Sequence, residues 1–252
     1  MSRMSLRTVG AGLTLALLSA PLHVRAQKPD YLAEVAPVVR GLPFSADGLV
    51  VMKLTLFDGT RIEQQMPAKY YRDSMGRVRR EQSIVGLSAL NPVTDTQFMV
   101  TIVDPVAGYV YTIVGKKPEV QRTPFDRKPK WIKLNEMNPA VAAAVPPGLA
   151  TREEDLGRKE IDGLMASGRR TTTNIPKGLL GNDRPMEVID ERWESVDLRV
   201  LILSRHHDPR SGDVEYRLTR ITRAEPPKNL FFVPAGYRVI DLGGKLFPPR
   251  QP

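Results

Sequence analysis

The chain has 252 residues, with 37 Lys and Arg against 28 Asp and Glu, and a formal net charge of +9 at pH 7. It has no cysteine, which excludes disulfides, thiol catalysis and thiolate metal sites. The basic balance fits anionic lipid head groups or polyanionic polymers as partners, or a charge that only keeps the protein soluble.

Residues 1–26 have the three parts of a secretory signal peptide, in the required order. Arg3 and Arg7 form a positive segment. Residues 9–22 are uncharged and mostly apolar, and they are shorter than the about 20 residues that span a bilayer. Val24-Arg25-Ala26 fits a peptidase site, so we expect cleavage after Ala26 and export to the periplasm; an uncleaved N-terminal anchor is the alternative. Because of this location, nucleic acid is not an expected partner.

Residues 27–43 are predicted to form a short helix or linker, because apolar side chains recur there at helical spacing, and Pro37 would shorten or kink the helix. A β domain is expected at 44–242. Its first hairpin turns at Asp58-Gly59, a dipeptide that readily takes the positive backbone angles of a tight turn. Nine or more strands are predicted, at 49–57, 61–72, 77–84, 97–104, 108–114, 160–175, 186–195, 198–208 and 214–225.

The stretch 125–151 is Pro-rich and less periodic, and a short helix is predicted in it at 138–145, so that it would form a lid or a loop. Residues 243–252 form a Pro-rich tail that is expected to be disordered. Hairpin-length connections and few helices favour a mainly β fold with a minor α component. The predicted architecture is a single strongly curled antiparallel sheet, an open half-barrel, with one or two short lid helices.

Apolar residues share one side of the first predicted strand and of the last one, and the other side is rich in arginine. Either a bound apolar ligand covers the apolar face, or the sheet closes on its own side chains. Trp193 is expected on the same face, as core or as groove wall. The predicted ligand-binding residues are Met52, Leu54, Leu56, Trp193, Tyr216 and Leu218.

One hairpin carries a dense basic and aromatic patch. Tyr70 and Tyr71 precede the first arginine of the patch, and the others follow in the next predicted strand. The functional interpretation is docking of anionic head groups or of a partner protein, and the alternative is an ordinary exposed hairpin. The predicted docking residues are Arg72, Arg77, Arg79 and Arg80.

The candidate catalytic residues lie next to one another in the sequence, which argues against catalysis. His206, His207 and Asp208 are consecutive, but neighbouring side chains of a strand point to opposite faces. They would therefore neither share a metal ion nor converge as a triad. The adjacent acids Asp190 and Glu191 diverge for the same reason. We therefore expect no metal, no cofactor and no enzymatic activity.

Several phrases of the sequence resemble a known superfamily. They are Ile161-Asp162-Gly163 at the start of a strand, Glu191-Arg192-Trp193 before an apolar strand, and Ala224-Glu225-Pro226-Pro227 leading to Leu230-Phe231-Phe232-Val233-Pro234. Over residues 44–240 the order of elements is similar to that of the periplasmic lipoprotein carriers (LolA-like half-barrels), and to exported bacterial proteins of that kind with no assigned function. The resemblance implies binding of acyl chains, lipoproteins or hydrophobic polypeptides in a concave, helix-lidded groove.

Two functional hypotheses follow. The first is an exported periplasmic binding module that holds a hydrophobic ligand, such as an acyl chain, a lipoprotein or an apolar peptide, on the concave face of a curled sheet. The alternative is an envelope sensor or interaction protein that docks a membrane-bound partner through the basic hairpin. Neither hypothesis requires a catalytic residue.

Overall fold

The computed structural model describes residues 38–84, 97–125 and 149–243. The predicted signal peptide, the helix at 138–145, most of the 27–43 segment and the tail after residue 243 lie outside the described residues. Residues 38–43 are described and contain no helix. Within the described part of the chain, helical structure is limited to a short 3-10 turn at Lys228–Phe231.

Most described residues belong to a sheet of twelve strands. The strands are β1 (Phe44–Thr55), β2 (Arg61–Arg72), β3 (Val78–Ile84), β4 (Gln97–Asp104), β5 (Tyr109–Val114), β6 (Glu119–Pro124), β7 (Ala150–Ile161), β8 (Leu164–Ile175), β9 (Met186–Ser195), β10 (Leu201–Asp208), β11 (Gly212–Thr222) and β12 (Arg238–Asp241). Their order across the sheet is β12-β6-β5-β4-β3-β2-β1-β11-β10-β9-β8-β7. Neighbouring strands are antiparallel, except β12, which runs parallel to β6.

This topology confirms the predicted mainly β fold and the single open sheet. Strands β1 to β6 form one meander and β7 to β11 form a second, and the pairing of β1 with β11 joins them. The outermost strands, β12 and β7, stand at opposite edges, so the sheet is not closed among the described residues. After β11 the chain crosses the sheet to form β12 at the far edge.

Three strands of the sheet, β6, β7 and β12, were not predicted from the sequence. The predicted strand 160–175 is divided by a turn at Asp162 and Gly163, whose φ angles are 49° and 76°. Strand β7 ends before this turn, and it is an edge strand with almost all of its side chains exposed. Because neither side of β7 is dry, its sequence lacks the apolar alternation by which strands are recognised.

The apolar alternation in β1 and β11 marks the buried face of the sheet, as predicted. Val50 lies directly between Met66 of β2 and Tyr216 of β11, and Ala68 lies opposite Gly48. Val50 is 3% exposed and Tyr216 is fully buried. We call this side the packed face, and we call the other side, which carries Val51, the groove face.

A second apolar cluster lies under the C-terminal segment. Val100, Ile102, Ile113 and Val120 are buried together on β4, β5 and β6, and Val233 and Tyr237 from the segment before β12 pack against them. The register across β3 places this cluster on the groove face. The C-terminal segment therefore covers the groove face over strands β4, β5 and β6.

Trp193 of β9 packs directly against Gly168 of β8 on the groove face. The two residues are directly opposed in the register. A Cβ atom on Gly168 would lie 2.6 Å from the Trp193 ring, although the backbone of Gly168 does not have a positive φ angle. The indole therefore lies flat on the strand, and Lys159 of β7 covers its ring, with the Nζ atom 3.7 Å from the ring centre.

Replacing Gly168 by alanine tests this packing. Alanine is the better strand former, so the substitution would stabilise an open position. Here the added methyl group collides with the indole, and we expect Gly168→Ala to lower the free energy of unfolding by about 1–3 kcal/mol. Urea unfolding measures the change. Ser167→Ala, at the neighbouring exposed position, should shift it by less than about 0.5 kcal/mol; equal stability of Gly168→Ala and the wild type would contradict the contact.

Candidate functional site

A cavity of about 820 Å³ lies on the groove face. Its walls come from β2, β1, β11, β10, β9, β8 and β7, which are seven neighbouring strands of the sheet. Glu63 on β2 and Arg152 on β7 line the same cavity although five strands separate them. The groove face must therefore be concave here, which confirms the strong curl expected from the sequence. We call this cavity the groove.

The middle of the groove is a row of alternating charges. Directly paired positions on five consecutive strands carry one charged residue each. Acids and arginines alternate along this row, so that each charge has an opposite charge on the next strand. We call this row the charge ladder; its members are Glu154, Arg170, Glu191, Arg205 and Glu215.

Glu191 is the centre of the ladder. Its Oε1 accepts a hydrogen bond of 2.7 Å from the Trp193 indole, and its Oε2 accepts one of 2.9 Å from Arg170. An Arg205 nitrogen lies 3.8 Å from Oε1. Burial favours the protonated carboxyl, but these hydrogen bonds and the two arginines outweigh burial and lower the pKa of Glu191 below its ordinary value.

The outer members of the ladder hold the arginines from the other side. Arg205 donates a hydrogen bond of 3.0 Å from Nε to Glu215, and Arg170 lies 3.7 Å from Glu154. The hydrogen bond to Glu191 raises the pKa of Arg170 above its ordinary value. Each guanidinium is therefore held between two carboxylates and is oriented along the floor of the groove.

The adjacent row of the groove places uncharged side chains between charged ones. Thr172 on β8, Ile189 on β9 and His207 on β10 are directly paired, and Lys53 on β1 continues the row beyond β11. Thr172 is buried, and Ile189 is half-buried. Val51 adds a second half-buried aliphatic side chain next to the ladder. The floor thus combines aliphatic surface with the stems of charged side chains.

A second cavity, of about 450 Å³, continues the groove face toward β4. Its apolar lining comes from Leu49, Pro67 and Phe98, and Phe98 is 46% exposed. Leu49 is two residues from Val51 on β1, so the two cavities are neighbours on one face. Lys69 lies at the rim of this second cavity. The groove face therefore offers a charged compartment and a more apolar one side by side.

The predicted divergence of neighbouring polar side chains is confirmed on β9 and β10. His206 Nδ1 lies 2.7 Å from Asp190 Oδ1, whereas His207 Nδ1 lies 2.5 Å from Asp213 Oδ1 on the next strand. The side chains of Asp190 and Glu191 likewise point to opposite faces of the sheet. The hydrogen bond to Asp190 raises the pKa of His206. Each histidine is hydrogen-bonded to a different carboxylate. The two histidines therefore do not converge as the residues of a triad must.

The predicted ligand-binding residues divide between core and surface. Tyr216 and Leu218 are fully buried in the packed face, and Met52 packs against the same cluster. Trp193 is 4% exposed and lies on the other face, beneath the groove. Of the other two, Leu54 is half-buried on β1, and Leu56 lies just beyond the end of β1. Their contact with a ligand stays a prediction, and the open cavity lies on the arginine-rich face instead.

Two of the four predicted docking arginines, Arg72 and Arg77, have partners within the fold. Arg72 is 4% exposed, and it donates to the carbonyl oxygens of Leu42 and Leu198 at 2.8 and 2.5 Å. Burial lowers its pKa to about 10. Arg77 forms a salt bridge of 2.6 Å with Asp73.

The two remaining arginines of the patch also contact other parts of the chain. Arg79 pairs with Glu81 at 2.6 Å and donates to the Leu230 carbonyl at 2.9 Å, which ties the C-terminal segment to β3. Arg80 lies over the Tyr70 ring, 5.5 Å from its centre. The docking role of the four arginines stays a prediction, and the structure gives them internal partners.

Sequence reasoning missed the charge ladder. Its members come from five strands, and Glu154 and Glu215 are far apart in the chain. Their partnership depends on the register between strands, which a strand pattern does not contain. The one sequence feature that pointed to the ladder was the excess of arginine on one side of the predicted strands.

The comparisons with known proteins concern the fold alone. No family model matches the chain, and no curated protein matches it. Among solved structures, the MucA/MucB complex of Pseudomonas aeruginosa has a chain with TM-score 0.41 and 13% identity; the match covers 84% of this chain and 62% of that one. The chain thus spans less than two thirds of that relative's length.

Two further similar structures are smaller. LprF from Mycobacterium bovis gives TM-score 0.35 and 16% identity, with 79% of this chain and 91% of that chain covered. A candidate outer membrane lipoprotein-sorting domain from Vibrio parahaemolyticus gives 0.30 and 8%, with 75% and 88% covered. The single open sheet expected from the sequence is confirmed by the strand order of the chain itself. No helix among the described residues has the length and apolarity to cross a membrane.

Replacing Glu191 by glutamine tests the ladder. The amide still accepts from Trp193 but leaves Arg170 and Arg205 without their shared anion, so we expect Glu191→Gln to lower the free energy of unfolding at pH 7 by about 1–3 kcal/mol. Because folding lowers the pKa of Glu191 from its ordinary 4.5, the contribution of the carboxylate is present above that pH and is lost as the pH falls through the lowered value.

The stability difference between wild type and Glu191→Gln should therefore narrow below pH 4.5, the ordinary pKa of the glutamate. Urea unfolding at several pH values measures it. Glu187→Gln, an exposed position on the same strand, is the matched control and should change stability by less than about 0.5 kcal/mol at every pH. A difference that is independent of pH would contradict the role of the Glu191 charge.

Proposed function

We propose that this chain is an exported binding module that holds a ligand in the groove of its curled sheet. The observation that carries the proposal is the cavity of about 820 Å³ lined by seven neighbouring strands. This volume falls within the range of about 300–1,000 Å³ that is typical of small-molecule sites. Concavity, size and a largely preformed lining by rigid strands are the properties that such sites share.

The lining favours an amphiphile, a hydrophobic ligand with a charged or zwitterionic end. Val51 and Ile189 offer aliphatic surface in the groove, and Leu49 and Phe98 extend this surface into the neighbouring cavity. The charge ladder beside them offers both signs of charge. An acyl chain with its head group, the lipidated end of a lipoprotein or an apolar peptide with charged termini would satisfy both parts of the lining.

Docking of a membrane-bound partner through the basic hairpin is the second candidate, but the contacts of its arginines favour the groove. Arg72, Arg77 and Arg79 use their guanidinium groups on partners inside the chain. We also propose that the protein binds without catalysis. The pairing of His206 and His207 with separate carboxylates on opposite faces supports this part of the proposal.

Export is part of the proposal, and residues 1–26 support it. If Val24-Arg25-Ala26 is the cleavage site, the protein recovered from the periplasm should begin at Gln27. N-terminal sequencing and the intact mass of the exported chain measure this directly. A chain that retains residues 1–26 and sediments with the inner membrane would instead identify an uncleaved anchor.

Filling the groove tests the proposal. Ile189→Trp projects a large side chain into the floor of the groove, whereas Val188→Trp, one residue away on β9, projects from the packed face. Native mass spectrometry of the purified chain should show an added mass from a retained amphiphile. We expect Ile189→Trp to reduce the ligand-bound fraction by about tenfold or more, because the indole occupies the space that the ligand needs.

The control variant separates loss of the site from loss of the fold. Both substitutions enlarge a half-buried aliphatic side chain on the same strand, so their unfolding midpoints should be compared with the wild type first. Retention of the ligand in a folded Ile189→Trp variant would move the binding site away from the groove. Extraction of the bound material into organic solvent, followed by mass spectrometry, identifies its head group and chain length.

A further inference from the structure

Two connections leave the sheet at the same end, on either side of the groove. Lys53 and Thr172 lie in one row across the sheet. From this row β1 continues to the turn at 56–60, and β8 continues to the loop at 176–185. We call these two connections the rim loops. The groove lies between them, so whatever the rim loops touch also faces the groove at this end.

The first rim loop presents Phe57, which is fully exposed. The turn itself is made by other residues. The backbone N–H of Gly59 donates to the Leu56 carbonyl at 3.0 Å, and that of Thr60 donates to Asp58 Oδ1 at 2.9 Å. Gly59 supplies the positive φ of 84°. An aromatic side chain at position 57 therefore serves neither the turn nor the packing of the described residues.

The second rim loop presents Leu180, which is 49% exposed. Asn182 holds this loop: its Oδ1 accepts from the Leu180 backbone N–H at 3.0 Å, and its Nδ2 donates to the carbonyl oxygens of Pro176 and Arg184 at 2.8 and 2.7 Å. The loop is thus closed by an amide side chain, as the first is by a carboxylate. In both loops hydrogen bonds fix the backbone and leave an apolar side chain in solvent.

Unpaired cations accompany both apolar tips. Arg61 follows the first turn, and Lys177 lies in the second loop; both are exposed, and neither forms an ion pair with a described residue. The carboxylate of Asp58 is engaged by the backbone of its own turn. An apolar tip with flanking cations is complementary to the interface of an anionic bilayer, where aromatic and aliphatic side chains enter the head-group region and cations meet phosphates.

We propose that the rim loops dock this protein on the surface of an anionic lipid bilayer, with Phe57 and Leu180 immersed at the interface and Arg61 and Lys177 on the head groups. In this orientation the end of the groove between the loops faces the membrane. The contact is peripheral, and it does not require that the groove hold a ligand. Docking would bury the exposed apolar side chains of both loops, which the fold itself leaves in solvent.

Vesicle co-sedimentation of the exported, purified chain tests the proposal. Wild type should bind vesicles of phosphatidylethanolamine and phosphatidylglycerol, and it should bind neutral phosphatidylcholine vesicles more weakly. Phe57→Ser with Leu180→Ser should weaken binding to the anionic vesicles by about tenfold or more, because burying a large apolar side chain is worth roughly an order of magnitude in an equilibrium constant. Arg61→Glu and Lys177→Glu should each weaken it by about fivefold or more.

The matched control is Met165→Ser with Val196→Ser. These two side chains are 43% and 42% exposed, similar to Leu180, but they lie at the opposite end of the sheet, next to the β7–β8 and β9–β10 turns. Binding of this variant should equal that of the wild type. As a direct readout of immersion, a tryptophan placed by Phe57→Trp should be quenched by vesicles with brominated acyl chains, whereas one placed by Met165→Trp should not be.

The proposal would be overturned by absence of binding of the wild type to anionic vesicles, by unchanged binding of the Phe57→Ser, Leu180→Ser variant, or by an equal loss in the control. Binding that depends on the cations alone would show simple electrostatic adsorption and would also overturn it. The outcome is separable from that of the groove. Ile189→Trp should still bind vesicles like the wild type, and Phe57→Ser should still retain a ligand in the groove.

Discussion

The alternation of side chains along each strand, carried through twelve hydrogen-bonded strands, is the constraint on which the rest of this structure depends. A residue that packs under the sheet forces its neighbours onto the other side. Val50 and Tyr216 meet in the packed face, and this places Val51 and Glu215 opposite each other on the groove face. The groove is therefore built from the residues that the core does not use, in a register that the core determines.

The magnitudes indicate why the charge ladder is placed in the groove. Exposed ion pairs contribute about 0–1 kcal/mol each, so a row of them adds little stability. Only Glu191, which is 9% exposed and receives the Trp193 indole, is deep enough for its hydrogen bonds to matter more. The ladder instead fixes the positions of the Arg170 and Arg205 side chains along the groove. Fixed charges of both signs select ligands by the arrangement of their own charges.

The C-terminal segment packs against one half of the groove face and not against the other. Over β4 to β6 this segment covers Ile102 and Val120, and Arg79 holds it through the Leu230 carbonyl. No described residue of this segment lines the groove, which lies on β2, β1, β11, β10, β9, β8 and β7 and stays open. The arginines of the β2–β3 hairpin thus close one half of the face, which leaves the other half as the site. One half of the face therefore packs against the chain itself, and the other half is accessible to a ligand.

The sequence by itself determined the strands with one dry side, the hairpin turn at Asp58-Gly59 and the opposite orientation of His206 and His207, because these follow from local alternation and turn chemistry. Strand β7 escaped notice because an edge strand with two wet sides has no alternation. Only the tertiary structure decided which face is concave and which charges meet. Those properties depend on curl and on register between distant strands, and no local pattern contains either.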